Sequence, residues 1–343
     1  MRIIQFLDGN QQRRLGSIDG ELVRDLTAVN TAVTRTTDAF FAAEEQGVVF
    51  GDFLAGLAAE APAAINYQEL WEGTEGKICS PVDHADPAHV LLAGTGLTHL
   101  GSMKSRNQMH TEENAEPDEA ITDSKKIFQM GIEAGKPDEG QRGVAPEWFY
   151  KGNGANLRAH GDSLDLPAFA LDGGEEAEVV GCYVIDKSGT PRRLGFALGN
   201  EWSDHATERI NYLYLAPSKL RTCAVGPELV TDCTFQEINL RCEVRRGSET
   251  IYESGWLLSG EEHMCHSLAN CEDHHFKYPQ HRQPGDVHLH YFGTSMLSFS
   301  TRDWKYQDGD EIVVEAPDFS KSLINTVRAT ERDVAAPYRV APA

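Results

Sequence analysis

The chain has no apolar run approaching the roughly 20 residues that span a bilayer as a helix, so no membrane partner is expected. It has no Cys-x-x-Cys pair. Its seven cysteines, Cys79, Cys182, Cys223, Cys233, Cys242, Cys265 and Cys271, are an odd number in 343 residues. That pattern suits reduced, mostly buried thiols rather than a disulfide framework. Cys182 and Cys223 lie in apolar runs and are expected as buried thiols, not nucleophiles. Basic residues are scarce: Lys+Arg 31 against Asp+Glu 53, a net charge of -22. This balance excludes nucleic acid as a partner. It still permits a small anionic substrate, because a metal and a few lysines set the local field. No internal repeat or low-complexity linker is present. Gly94-Thr95-Gly96 follows an apolar run, but the spacing is not Gly-x-Gly-x-x-Gly and no βαβ unit follows, so a dinucleotide site is rejected. Met1–Leu7 alternates like a strand rather than a signal peptide, and a cytoplasmic location is expected.

What is present divides the chain. Residues 1–80 begin as a meander of short strands with Asp8-Gly9-Asn10 and Asp19-Gly20 turns. An Ala-rich stretch over 36–64, with Phe40, Phe41, Phe53 and Leu54, predicts amphipathic helices. This part is expected to be a small N-terminal domain. Residues 88–343 form the larger domain. Its 104–145 stretch is charged and Gly-rich, as an active-site lid would be. From 147 to 327, short strands punctuated by Gly and Pro predict a β-rich core.

The sharpest chemical signal is Glu176-Ala177-Glu178, placed directly before the apolar run Val179–Ile185. On a strand, residues i and i+2 project to the same side. Two neighbouring carboxylates repel, and a hard divalent cation resolves the conflict. The alternative is an exposed acidic edge. Asn200-Glu201-Trp202-Ser203-Asp204 follows another apolar stretch and offers a third carboxylate, Glu201 or Asp204. His288 and His290 alternate on one strand face, either lining a cavity or packed in the core. The segment His263-Met264-Cys265-His266 through His275 fits no structural zinc spacing; it reads as a helix from Ser259 with His263, His266 and Asn270 on one face.

Taken in order, these segments resemble the fumarylacetoacetate hydrolase superfamily. Phe149-Tyr150-Lys151 through Leu157 is similar to the family's Phe-x-Lys-Pro-x-Ser segment. Glu176-Ala177-Glu178 resembles its Glu-x-Glu metal motif, and Asn200-Glu201-Trp202-Ser203 its Asn-Asp-Val-Ser, with Glu in place of Asp. Pro284-Gly285-Asp286, Gly293-Thr294 and Gln307-Asp308-Gly309-Asp310 resemble the C-terminal glycine motifs. Ser218-Lys219 through Pro227 resembles a Lys-x-Phe…Gly-Pro stretch. The closest subgroup is the one tied to sugar-acid catabolism.

The resemblance implies an α+β, β-rich fold, a mixed β-sandwich roll with a small N-terminal α/β domain, in a homodimer. It implies Mg²⁺, with Mn²⁺ or Ca²⁺ as alternatives, on Glu176, Glu178 and Glu201. The implied substrate is a small 2-oxo acid. Lys151, Lys219 and Glu208 are the catalytic candidates. Thr98, His99, Ser102, Arg106, His288, His290, Gly293 and Thr294 are the substrate-binding candidates. The family's hydrolases carry a water-activating His and Glu where this chain has Ser102 and Ser105. A hydrolase needs such a base, with His99 or His110 the only nearby substitutes. The expected reaction is therefore dehydration of a 2-keto-3-deoxy sugar acid through a metal-stabilised enolate. A C–C hydrolase of an acylpyruvate-like substrate and a non-catalytic sugar-acid-binding protein are the alternatives.

Overall fold

The computed structural model describes residues 1–101, 122–330 and 337–343. Ser102, Ser105, Arg106 and His110, and the first part of the expected lid, lie outside the described residues.

The Ala177–Ile185 strand shows why the fold has two faces. All nine of its residues are buried, which requires cover on both sides of the sheet. Val179, Tyr183 and Ile185 face a core that also holds Leu240, Val244, Ile312 and Val314. Val180, Cys182 and Val184 face a second core with Leu26, Ala39 and Leu54. The first core is closed by a five-stranded sheet, ordered Glu249–Ser259, Ile238–Arg246, Glu311–Glu315, Leu323–Thr330 and Ser163–Pro167. The second is closed by the helices Thr36–Gln46 and Phe50–Glu60, as the Ala-rich stretch predicts.

The large mixed sheet has twelve strands. Its centre runs Arg2–Leu7, Cys223–Val230, Pro191–Asn200, Ala177–Ile185, Val287–Tyr291, Val90–Gly96 and Glu147–Asn153. Arg2 and Ile3 pair with Val230 and Leu229, so the N-terminal strands continue this sheet. The fold is α+β and β-rich, as expected. No helix among the described residues is long and apolar enough to cross a membrane.

One local expectation changes. The chain does not run as a helix from Ser259: Glu249–Ser259 is a strand, and the helix covers Leu268–Phe276 with Ser267 as its N-cap. Gly260, at φ 94°, breaks the chain between them. Within 122–145, Asp123–Ala134 is a helix that packs on this region. Arg142 pairs with Asp273, and the Gly143 N–H donates to Asn270.

A candidate metal centre

Register builds the site. Ala177 pairs with Asn200, which sets Glu176 opposite Glu201 at the ends of two antiparallel strands. The Glu201 N–H donates to the Glu176 carbonyl at 2.9 Å. Glu178, two residues on, points the same way. One ligand oxygen from each of Glu176, Glu178 and Glu201 lies within 4.8 Å of the others, and all three residues are buried.

Neighbouring groups hold the carboxylates. The Ser203 hydroxyl donates to Glu176 Oε1 at 2.9 Å or to Glu201 Oε1 at 3.0 Å. His205 Nε2 is 3.0 Å from Glu176 Oε1. Lys219 Nζ donates to Glu176 Oε1 and lies 3.1 Å from Glu201 Oε1. Lys151 Nζ donates to the Trp202 carbonyl and is 3.3 Å from Glu201 Oε1. The Gly293 N–H donates to Glu178 Oε2 at 2.6 Å. Gly293 has φ 90°, and a Cβ there would meet Thr98 Oγ1 at 2.6 Å. Glu178 Oε1 is buried with no hydrogen-bond partner among the described residues.

The electrostatics separate the groups. Burial pushes the Glu178 carboxyl well above the usual range, and Glu201 and Glu176 push it further. Burial also opposes the Glu176 charge, but Lys219 and His205 outweigh it and hold that carboxyl low. Lys219 stays cationic for the same reason: Glu176, Glu201 and Glu208 overcome its burial. For Lys151, burial wins over Glu201 and lowers the ammonium pKa. Three carboxylates of hard oxygen donors, one with an orphaned oxygen, fit a divalent cation of the Mg²⁺ or Mn²⁺ type.

The other expected residues are placed as follows. Glu208 sits on the helix His205–Ile210, where its charge acts on Lys219. Thr98 donates to the Phe292 carbonyl at 2.5 Å. Thr294 donates to the Met296 carbonyl at 3.2 Å. His99 is buried, 3.1 Å from Ser259 Oγ, and burial lowers its pKa to about 3. His288 and His290 do not join the carboxylates. They pair with Tyr183 and Gly181, whereas Glu178 shares the parity of Val180 and Tyr291 and points to the opposite face. Both histidines pack instead around His275 in the core.

Asp204 is committed elsewhere, which leaves Glu201 as the third carboxylate. Asp204 caps the His205–Ile210 helix, accepting from Thr207 N at 3.0 Å, and pairs with Arg221 at 3.2 Å. Asp204→Ala should destabilise the protein by about 3–5 kcal/mol, the cost of stripping one partner from a buried ion pair. It should leave the divalent-cation affinity of the folded protein unchanged, measurable by calorimetric titration.

Sequence reasoning missed three groups. Ser203 and His205 reach the carboxylates because the chain after Glu201 turns back on Gly174, with which Ser203 forms a bridge. Glu147 shares a strand with Phe149 and Lys151 at alternating positions. Gly94 and Gly96 leave room for them: a Cβ on Gly96 would meet Glu147 Oε2, and one on Gly94 would meet Phe149 and, at 3.4 Å, Glu201 Oε2. The Glu147-x-Phe149-x-Lys151 alternation was the available signal.

No protein-family model and no curated protein matches the chain. Solved structures do. A 2-keto-3-deoxy-D-arabinonate dehydratase complexed with magnesium and 2,5-dioxopentanoate aligns with TM-score 0.69 at 18% identity, over 97% of this chain and 100% of that one. The fold is fumarylacetoacetate hydrolase-like. Maleylpyruvate hydrolase from Sphingobium sp. SYK-6, in complex with manganese(II) and pyruvate, aligns with TM-score 0.58 at 13% identity, over 96% and 100%. A 5-carboxymethyl-2-hydroxymuconate delta-isomerase from Mycobacterium smegmatis aligns with TM-score 0.54 at 15% identity, over 97% and 100%. At these identities the likeness is one of fold. The fumarylacetoacetate hydrolase-like fold thus accompanies dehydratase, hydrolase and isomerase chemistry, and the choice among them rests on the site.

Proposed function

We propose that this protein is a divalent-metal-dependent lyase, with Mg²⁺ as the metal, that dehydrates a 2-keto-3-deoxy sugar acid. The observation that carries the reading is the buried Glu176, Glu178 and Glu201 triad beside one lysine held charged and one held towards neutrality. The triad would hold the cation, which would polarise a 2-oxo acid substrate and make its C3 proton more acidic. Dehydration then breaks the C3–H bond and the C4–O bond and releases water. Two protons must be handled, one at C3 and one at the departing C4 oxygen. Lys151 and Glu147 are assigned to them: they lie on one strand at matching positions, and a lysine with a lowered pKa is able to accept a proton. Lys219 stays charged and keeps Glu176 and Glu201 in place.

The test is product analysis on a panel of 2-keto-3-deoxy sugar acids and acylpyruvates with Mg²⁺. The lyase gives one product from a sugar acid, the 2-oxo-3-enoic acid of C3–C4 elimination or the isomeric dioxo acid formed when that enone tautomerises with the neighbouring C5 alcohol. Two fragments from an acylpyruvate would establish the hydrolase instead, and binding without turnover a non-catalytic protein. Lys151→Met should lower kcat by roughly 10²–10⁴, the usual contribution of a positioned acid–base group. A rise in KM alone would make Lys151 a binding group.

A further inference from the structure

A cavity of about 370 Å³ opens where the N-terminal strands meet the body of the protein, and none of the carboxylate-site residues lines it. Its wall carries Arg13, Arg35, Lys77 and Arg158 against only Asp83 and Asp162. The chain as a whole has the opposite balance, Asp+Glu 53 to Lys+Arg 31. Four cations in one concavity therefore run against composition.

The charges in the wall are incompletely paired. Arg13 Nη2 lies 3.0 Å from Asp83 Oδ2, and Arg35 Nε lies 3.4 Å from Asp83 Oδ1. Two guanidiniums thus share one carboxylate. Gln5 Nε2 also donates to Asp83 Oδ1, at 3.1 Å, and fixes it. Arg13 Nη1 and Arg35 Nε are buried and make no hydrogen bond to the described residues. Beyond Asp83, the Arg35 side chain has no polar partner among the described residues. The other two cations are held in position: Lys77 by Asp162 at 2.7 Å, and Arg158 by Asp165 at 3.0 Å.

We propose that this cavity binds a small oxyanion, a compound bearing a carboxylate or phosphate group, on Arg13 and Arg35. The planar guanidinium fork matches both head groups. A bound anion supplies the counter-charge that Asp83 alone does not, and the volume lies within the range of small-molecule sites. Arg13, Arg35 and Lys77 come from the N-terminal segment and Arg158 from the body. The ligand therefore ties the two parts together.

Calorimetric titration of the full chain tests this, with inorganic phosphate in one arm and succinate in the other, at ionic strength matched with chloride. Saturable binding of phosphate alone, of succinate alone, or of both supports the site and distinguishes the head group. Arg35→Gln should weaken binding by roughly tenfold or more, as loss of a charge-assisted hydrogen bond does. Arg13→Gln, the other guanidinium on Asp83, serves as a second variant if Arg35→Gln does not fold. Glu178→Gln should bind the anion as the parent does, which separates this cavity from the carboxylate site. No saturable binding of either anion overturns the proposal. So does binding unchanged in a folded Arg35→Gln or Arg13→Gln protein.

Discussion

Glu178→Gln is expected to abolish divalent-cation binding and turnover while raising the melting temperature of the metal-free protein. Both effects follow from one carboxylate. Among the described residues its Oε1 has no hydrogen-bond partner, and its Oε2 accepts from the Gly293 N–H. The amide of Gln keeps an oxygen for Gly293 and removes an ionisable group whose charged form burial, Glu201 and Glu176 disfavour. Burial first, then Glu201 and Glu176, raise the Glu178 pKa well above its usual 4.5. For a carboxyl raised in the folded state, stability is complete below the unfolded pKa and is lost as pH rises through the folded one. At neutral pH the metal-free protein therefore carries this penalty, and the variant does not. Conversely, the parent gains about 2.7 kcal/mol at a cation concentration a hundredfold above Kd, and the variant gains nothing. Thermal melts with and without Mg²⁺ check both halves. A variant that keeps the Mg²⁺-dependent rise places the cation elsewhere.

The glutamate triad was legible because its information is local. An i, i+2 pair on a strand projects to one shared side, and the Asn200-Glu201 turn lies one strand later. The apolar run itself predicts a buried strand, and Val179 and Val180 are buried in opposite cores. The choice between Glu201 and Asp204 was not legible. It depends on Arg221 and on the N–H groups of Thr207 and Leu171 gathering around Asp204.

The histidines show where local reading stops. The alternation of His288 and His290 correctly places them on a shared face. Which face is decided by a strand about a hundred residues earlier in the chain, through the pairing of Tyr183 with His288 and Gly181 with His290. A shift of one residue in that register would have sent them towards the carboxylates. His205 is the converse case: nothing in its neighbourhood marks it, yet a helix capped by Asp204 carries it back to Glu176.

The same register builds the second large prediction. His275 Nε2 lies 2.9 Å from His288 Nδ1, and the His290 ring centroid lies 4.7 Å from that of His275. Both His290 nitrogens are buried without a hydrogen-bond partner among the described residues. Burial lowers the pKa of His288 and His290 to about 3 and that of His266 to about 4, and it holds His275 well below 6.5. A histidine depressed in the folded state costs nothing above its unfolded pKa, where both states are neutral. Below it, the unfolded chain takes up protons that the folded chain refuses, so stability falls as pH drops from 6.5 towards 3–4. At pH 5 the loss is at most about 2 kcal/mol per histidine, large enough in sum to unfold a protein of ordinary stability. Urea denaturation at pH 7, 6 and 5 should show the midpoint falling steeply. His290→Phe removes a ring with two unpaired nitrogens from between His275 and Phe292. It should raise stability at pH 7 by about 1–3 kcal/mol and flatten the acid dependence. A parent protein equally stable at pH 7 and pH 5 would mean that these histidines are protonated in place, and that the cluster is not the closed, neutral core its burial describes.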